Sequence, residues 1–301
     1  MRNIILLVVA SVAASLAAQA QDMFPHSTED MPFNAAAVKR PIDPDCAPEG
    51  TGKGDAQQAQ NTAKNNFGAT GTPVPIRITD FDRLEKAAII ARNCAAKKKH
   101  NCRRLEIDSA GLPTDREQLK DIATTEAGDA VGEGTLVVLV AKVLNSHYSN
   151  TKFSIFGQKR SQGESVNCKG VPSLEASSEL DRNDIHIVLA APGVNDECLS
   201  VTAEISPHFR PESWRRFHNM GPNKFGEDPN DEVKGVDFKK LRAVRITGPL
   251  FYDASHEACS AKNPHASPAR RSIWEIHPAY KLDVQTKDGA WLSFDDWAAT
   301  Q

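Results

Sequence analysis

From Gly134 onward the chain is written in short β-branched and aliphatic blocks, with no long helical pattern between them. Residues 135–144, 153–156, 184–190, 199–205, 243–250 and 272–284 carry this texture. Turn formers separate them: Gly163, Gly170-Val171-Pro172, Ala191-Pro192-Gly193 and Gly221-Pro222-Asn223. Without crossover helices the strands are expected to pair antiparallel. Five or six strands closing on themselves make a barrel of OB-type size, and closure removes exposed edges. The expected fold is therefore mainly β, a small antiparallel OB-like barrel over residues 131–290; a sandwich is the structural alternative. No internal repeat of fixed period is present.

An extended arm and a short helical segment are expected ahead of the barrel. Residues 21–75 are rich in Pro, Gly, Asn, Gln and Ala and read as the arm. Residues 76–130 form the helical segment. Asp80 or Asp82 caps a first helix with Leu84, Ala87, Ala88 and Ala91 at helical spacing. A second is predicted over 114–124, with Thr114 and Glu117 as a capping box. Residues 291–301, with Trp291, Leu292, Phe294 and Trp297, read as an amphipathic tail packed on the barrel.

The first twenty residues read as a signal peptide: Arg2, an apolar run of about 15 residues, then Ala18-Gln19-Ala20 as a small-x-small cleavage pattern. The run is short of the roughly 20 residues that span a bilayer, and no other stretch approaches that length. The mature chain is expected to be exported, periplasmic or extracellular, with no membrane span. Removing residues 1–20 takes Arg2 and no acid, which changes the formal charge from −3 to −4. That balance disfavours nucleic acid as a partner held by bulk charge.

Export changes the meaning of the six cysteines, Cys46, Cys94, Cys102, Cys168, Cys198 and Cys259. In an oxidising compartment an even count favours disulfides, and there is no CxxC to suggest a metal or redox site. Cys94 and Cys102 can close a local loop if a helix breaks between them, because eight residues of helix would hold them about 12 Å apart. Cys168 with Cys198, and then Cys46 with Cys259, complete the spacing-based expectation; sequence alone leaves all 15 pairings open.

The chemistry-bearing signal is an acid-x-His pattern that occurs twice. In Asp184-Ile185-His186-Ile187 the Asp and His share one strand face; in Glu275-Ile276-His277 the Glu and His do the same. Glu204 stands opposite the aliphatic row of its own block, and Asp253 and His256 lie at a turn after Gly248-Pro249. If the strands are neighbours, Asp184, His186, Glu204, Asp253, His256, Glu275 and His277 form one cluster. Asp184, His186, Glu204 and His277 are the candidate ligands for a divalent metal, since imidazole nitrogen and carboxylate oxygen are its usual donors. The same groups suit acid–base work. Plain apolar-in, polar-out alternation gives the alternative, a solvated polar face.

Other candidates are weaker. The stretch from Pro207 to Phe217 (with His208, Phe209, Arg210, Trp214, Arg215 and Arg216) has the composition of a base-stacking surface, but also of a loop packing Trp214 and Phe217 on the barrel. Arg270-Arg271 and Lys97-Lys98-Lys99 read as surface charge. No GxSxG is present, and Gly50-Thr51-Gly52-Lys53-Gly54 lacks phosphate-loop spacing.

Five blocks occur in characteristic order: Gly163-Glu164-Ser165-Val166-Asn167-Cys168, Asn183-Asp184-Ile185-His186-Ile187, Ala203-Glu204-Ile205-Ser206-Pro207, Arg245-Ile246-Thr247-Gly248-Pro249-Leu250-Phe251-Tyr252-Asp253 and Trp274-Glu275-Ile276-His277-Pro278. In these the chain resembles a largely uncharacterised family of secreted bacterial proteins over roughly residues 130–285. The resemblance implies an OB-like barrel and a single constellation of the acidic and His positions, and no established activity. The leading expectation is an exported ligand-binding protein whose Asp/His/Glu face takes a divalent metal. The alternatives are a metal-dependent hydrolase of phosphodiesters or similar esters using the same cluster, and a structural or interaction protein of the cell envelope.

Overall fold

The computed structural model describes residues 54–148, 150–155, 158–163, 184–206, 211–218 and 235–301. Among these the strands are β1 (Val74–Ile76), β2 (Ala123–Thr124), β3 (Ala130–Val131), β4 (Leu136–Tyr148), β5 (Asn150–Ile155), β6 (Gln158–Gly163), β7 (Ile185–Ala190), β8 (Val201–Ile205), β9 (Leu241–Tyr252), β10 (Trp274–Ile276), β11 (Lys281–Thr286) and β12 (Trp291–Ser293). The helices are α1 (Asp55–Lys64), α2 (Asp80–Ala96) and α3 (Phe294–Ala298).

Two long strands close the barrel. β4 and β9 pair antiparallel from Leu136 opposite Pro249 to Ala141 opposite Val244. Beyond this stretch β4 pairs with β7, through a register shift between Val143 and Asn145, and the end of β9 pairs with β10. β8 completes the ring, antiparallel to β7 and parallel to β10. The result is a closed five-stranded barrel in the order β4-β7-β8-β10-β9, with β11 and β12 extending it beside β9 and β1 beside β4. One neighbouring pair is thus parallel in an otherwise antiparallel ring.

Period-2 alternation explains the interior. Val137 and Leu139 of β4, Ile185, Ile187 and Leu189 of β7, Val201, Ala203 and Ile205 of β8, Val244 and Ile246 of β9, and Trp274 and Ile276 of β10 are buried in one hydrophobic core. Phe81, Leu84, Ala88 and Ala91, at helical spacing along α2, join that core. Asp80, at the start of α2, accepts from the amides of Arg77 and Glu126, both at 2.8 Å. Phe294 and Trp297 of α3 are buried, and Phe294 meets Phe217 edge-on at 4.9 Å.

Several expectations need correction. The predicted helix at 114–124 is only a 3-10 turn, Arg116–Leu119, capped by Asp115 rather than Thr114. Residues 272–284 are two strands, not one, because the chain leaves β10 at His277 and re-enters as β11. Residues 55–64 of the expected extended arm are the helix α1. Cys94 and Cys102 are bonded, with α2 ending at Ala96 between them. Cys198 pairs with Cys259, so neither Cys168–Cys198 nor Cys46–Cys259 forms. Turn Glu197–Leu199 and the loop after β9 bring these two together across a separation of 61 residues, which spacing does not reveal. Cys46 and Cys168 lie outside the described residues, as do residues 1–20, expected to be a signal peptide, and residues 207–210. Among the described residues no helix is long and apolar enough to cross a membrane.

Candidate metal centre

The residues alternating with the barrel interior build the site. His186 sits directly opposite Glu204 across β7 and β8, and Glu275 pairs with Thr202 of β8 and Phe251 of β9. Asp184 precedes β7 by one residue, Asp253 follows β9, and His277 follows β10, each keeping the same face. The His277 segment is held to both neighbouring strands: the His277 amide donates to Pro249 at 3.0 Å, and the Ala279 amide to Glu204 at 2.8 Å. Gly248 makes this approach possible, since a Cβ there would lie 2.4 Å from the Pro278 carbonyl oxygen.

This face is not solvated. Asp184, His186, Glu204, Asp253, Glu275 and His277 are all buried, and His256 keeps only 18% of its side chain exposed. The expected polar-out face is closed because α1 lies across it. Three residues of α1 are buried, Gln60, Asn61 and Lys64. Gln60 approaches Asp253 at 3.5 Å and accepts from the Ala254 amide at 3.3 Å. Lys64 Nζ stands 3.6 Å from Asp184 and 3.5 Å from Glu204.

The structure divides the seven sequence candidates into two groups. Donor atoms of Asp184, Glu204 and His277 lie within 4.8 Å of one another. His277 Nε2 is 2.9 Å from Glu204 Oε2 and 3.9 Å from Asp184 Oδ1, and His186 Nε2 is 3.1 Å from Glu204 Oε1. Donors bound at about 2.1 Å to one ion stand roughly 3–4 Å apart, the spacing seen here. Neither Glu204 oxygen nor either His277 ring nitrogen makes a hydrogen bond of good geometry, although all four atoms are buried.

Asp253, His256 and Glu275 also lie within 4.8 Å of one another, and each has a protein partner, although Glu275 Oε2 is buried without a hydrogen bond. Asp253 accepts from the Ser255 amide at 3.0 Å, from the Ser255 hydroxyl, and from His256 Nδ1 at 2.6 Å. Glu275 is paired with Arg270. That arrangement orients the His256 ring by a buried carboxylate, which is how a base is held in one tautomer.

The cluster holds more carboxylates than permanent cations. Four buried carboxylates (Asp184, Glu204, Asp253 and Glu275) face two permanent cations, Lys64 and Arg270, among the described residues. Arg116 is nearby but spent on Glu133, at 2.8 Å. Burial, then the Glu204 charge, push the Glu275 carboxyl well above the usual carboxylate range, against the pull of Arg270. Burial also works against the Glu204 anion, but His186, Lys64 and His277 together hold its carboxyl well below that range. Burial lowers His277. An ionised carboxylate beside a neutral imidazole is the form in which both ligate metal.

Two participants were not expected. Lys64 lies in a polar stretch with no apolar periodicity to mark its helix. Arg270, read as surface charge, is 0% exposed. Only Arg271 behaves as a surface residue, pairing with Asp82. Trp214 and Phe217 of the aromatic-basic stretch are buried in the core rather than displayed for stacking. Comparison of the chain with protein-family models, curated proteins and solved structures finds no match.

Proposed function

We propose that this is an exported binding protein that holds a divalent transition-metal ion on the barrel wall between Asp184, Glu204 and His277, with His186 as a further donor. The observation that carries the reading is the convergence of three buried donor groups, Asp184, Glu204 and His277, whose donor atoms lie within 4.8 Å of one another. Mixed imidazole and carboxylate ligation suits zinc, iron or manganese better than calcium or copper(I). The two disulfides and the absence of a membrane-crossing helix among the described residues support export. The ring order, in which the third barrel strand pairs parallel with the fifth, supports an OB-type barrel and with it the resemblance to secreted bacterial proteins.

Calorimetric titration of the mature chain with zinc and manganese after chelator treatment tests this reading. One ion per chain is expected to bind in the wild type, and binding is expected to be lost in Glu204→Gln and His277→Ala. No binding by folded wild-type protein at neutral pH refutes it.

One observation favours hydrolysis as a second reading. The partly exposed His256 ring, oriented by Asp253, has the arrangement of a general base. Turnover of an activated phosphodiester by the metal-loaded protein, abolished in His256→Ala, is the expected result; no turnover leaves the binding function alone.

A further inference from the structure

We infer that Lys64 competes with a bound cation for the Asp184 and Glu204 carboxylates, so that it selects for ionic charge and its displacement loosens α1. The inference rests on the metal reading above.

α1 is joined to the barrel by polar contacts. Its buried residues are Gln60, Asn61 and Lys64, and none of its side chains belongs to the hydrophobic core. Just past its end the chain is pinned: Phe67 is in the core and stacks on Tyr280 at 6.3 Å, while the Tyr280 hydroxyl donates to the Asn66 carbonyl. The helix is thus fixed at its C-terminal side and held over the site by Gln60 and Lys64.

Lys64 is the last residue of α1, where the helix carbonyls favour a positive charge. Its ammonium approaches both carboxylates of the proposed triad, at 3.5 and 3.6 Å. A dication bound to those carboxylates would face the ammonium at close range in a poorly screened setting, so the two compete. A monovalent ion gains no charge by replacing an ammonium, whereas a divalent ion does. Lys64 therefore discriminates against sodium and potassium, and its release removes one of the polar ties that hold α1 over the site, in a helix that lacks an apolar anchor of its own.

Zinc titration and hydrogen exchange on the mature full chain test the inference, using wild type, Lys64→Met and Lys64→Arg. Lys64→Met is expected to bind zinc about tenfold tighter or more, with Lys64→Arg close to wild type. Zinc is expected to speed amide exchange across residues 55–64 in wild type. Equal or weaker zinc affinity in folded Lys64→Met overturns the inference, as does greater protection of α1 on zinc binding to wild type. If Lys64→Met does not fold, the wild-type exchange result decides alone. If wild type binds no zinc, the metal reading itself fails; if it binds zinc but α1 is not loosened, only the role of Lys64 fails.

Discussion

Arg270 and Glu275 form an ion pair in which both side chains are 0% exposed, five residues apart on either side of the start of β10. The pair couples through charge to the proposed metal-binding group, since Glu204 raises Glu275 and Arg270 lowers it. A pair so deeply buried gives up the solvation of two ions, and its net worth differs greatly from the cost of breaking it.

Removing one partner should therefore be severe and removing both mild. Arg270→Met is expected to cost about 3–5 kcal/mol, because it leaves a buried carboxyl unpaired. Arg270→Met with Glu275→Leu should recover most of that loss. Urea unfolding of the four species in a double-mutant cycle measures the coupling. Additive losses would mean that the two side chains do not depend on one another.

Asp253 should give the protein an acid-sensitive share of its stability. Burial opposes its ionisation, but His256, Lys64 and Arg270 outweigh this and hold its carboxyl far below the usual range. An acid depressed in the folded state stabilises above its unfolded value, near 3.9, and loses that contribution as pH falls. The gap in melting temperature between wild type and Asp253→Asn should be widest near neutrality and narrow below about pH 4. A gap that stays constant from neutral pH to pH 3 would contradict this.

The Cys198–Cys259 bridge should matter more than its local counterpart. It spans 61 residues against 8 for Cys94–Cys102. Loop entropy assigns it about 4 kcal/mol, so Cys198→Ser with Cys259→Ser should lower stability by up to that amount. Peptide mapping of the unreduced chain should recover the Cys94–Cys102 and Cys198–Cys259 linkages.

Gly248→Ala should disturb the site without touching a ligand. The new methyl would meet the Pro278 carbonyl at 2.4 Å and the Ile276 side chain at 2.8 Å, forcing β9 and the His277 segment apart. A loss of about 1–3 kcal/mol is expected, with weakened metal binding. Unaltered zinc affinity in a destabilised variant would show that His277 moves independently of this contact.

The barrel and most of its polar cluster were legible because strand alternation is a strict rule: Asp184 with His186, and Glu275 with His277, had to share faces. Which strands neighbour one another was not legible. Glu204 reaches His277 through a parallel pairing of β8 and β10 that no local signal announces. Lys64 was hidden for a different reason. Its helix buries Gln60, Asn61 and Lys64, so the apolar periodicity that marks α2 is missing from it. The disulfides show the same division, with local Cys94–Cys102 foreseeable and Cys198–Cys259 dependent on the finished fold.

Because β7, β8 and β10 carry the apolar core on one side and the ionisable cluster on the other, pairing errors are penalised twice. A slip of one residue would turn Glu204 and Glu275 into the barrel lumen and push Ala203 and Ile276 out beneath α1. The misaligned barrel would then enclose charge in a space with no counter-ion while losing its packing. The cluster thus also acts as a proofreading device for strand alignment, and this role holds whatever the site goes on to bind.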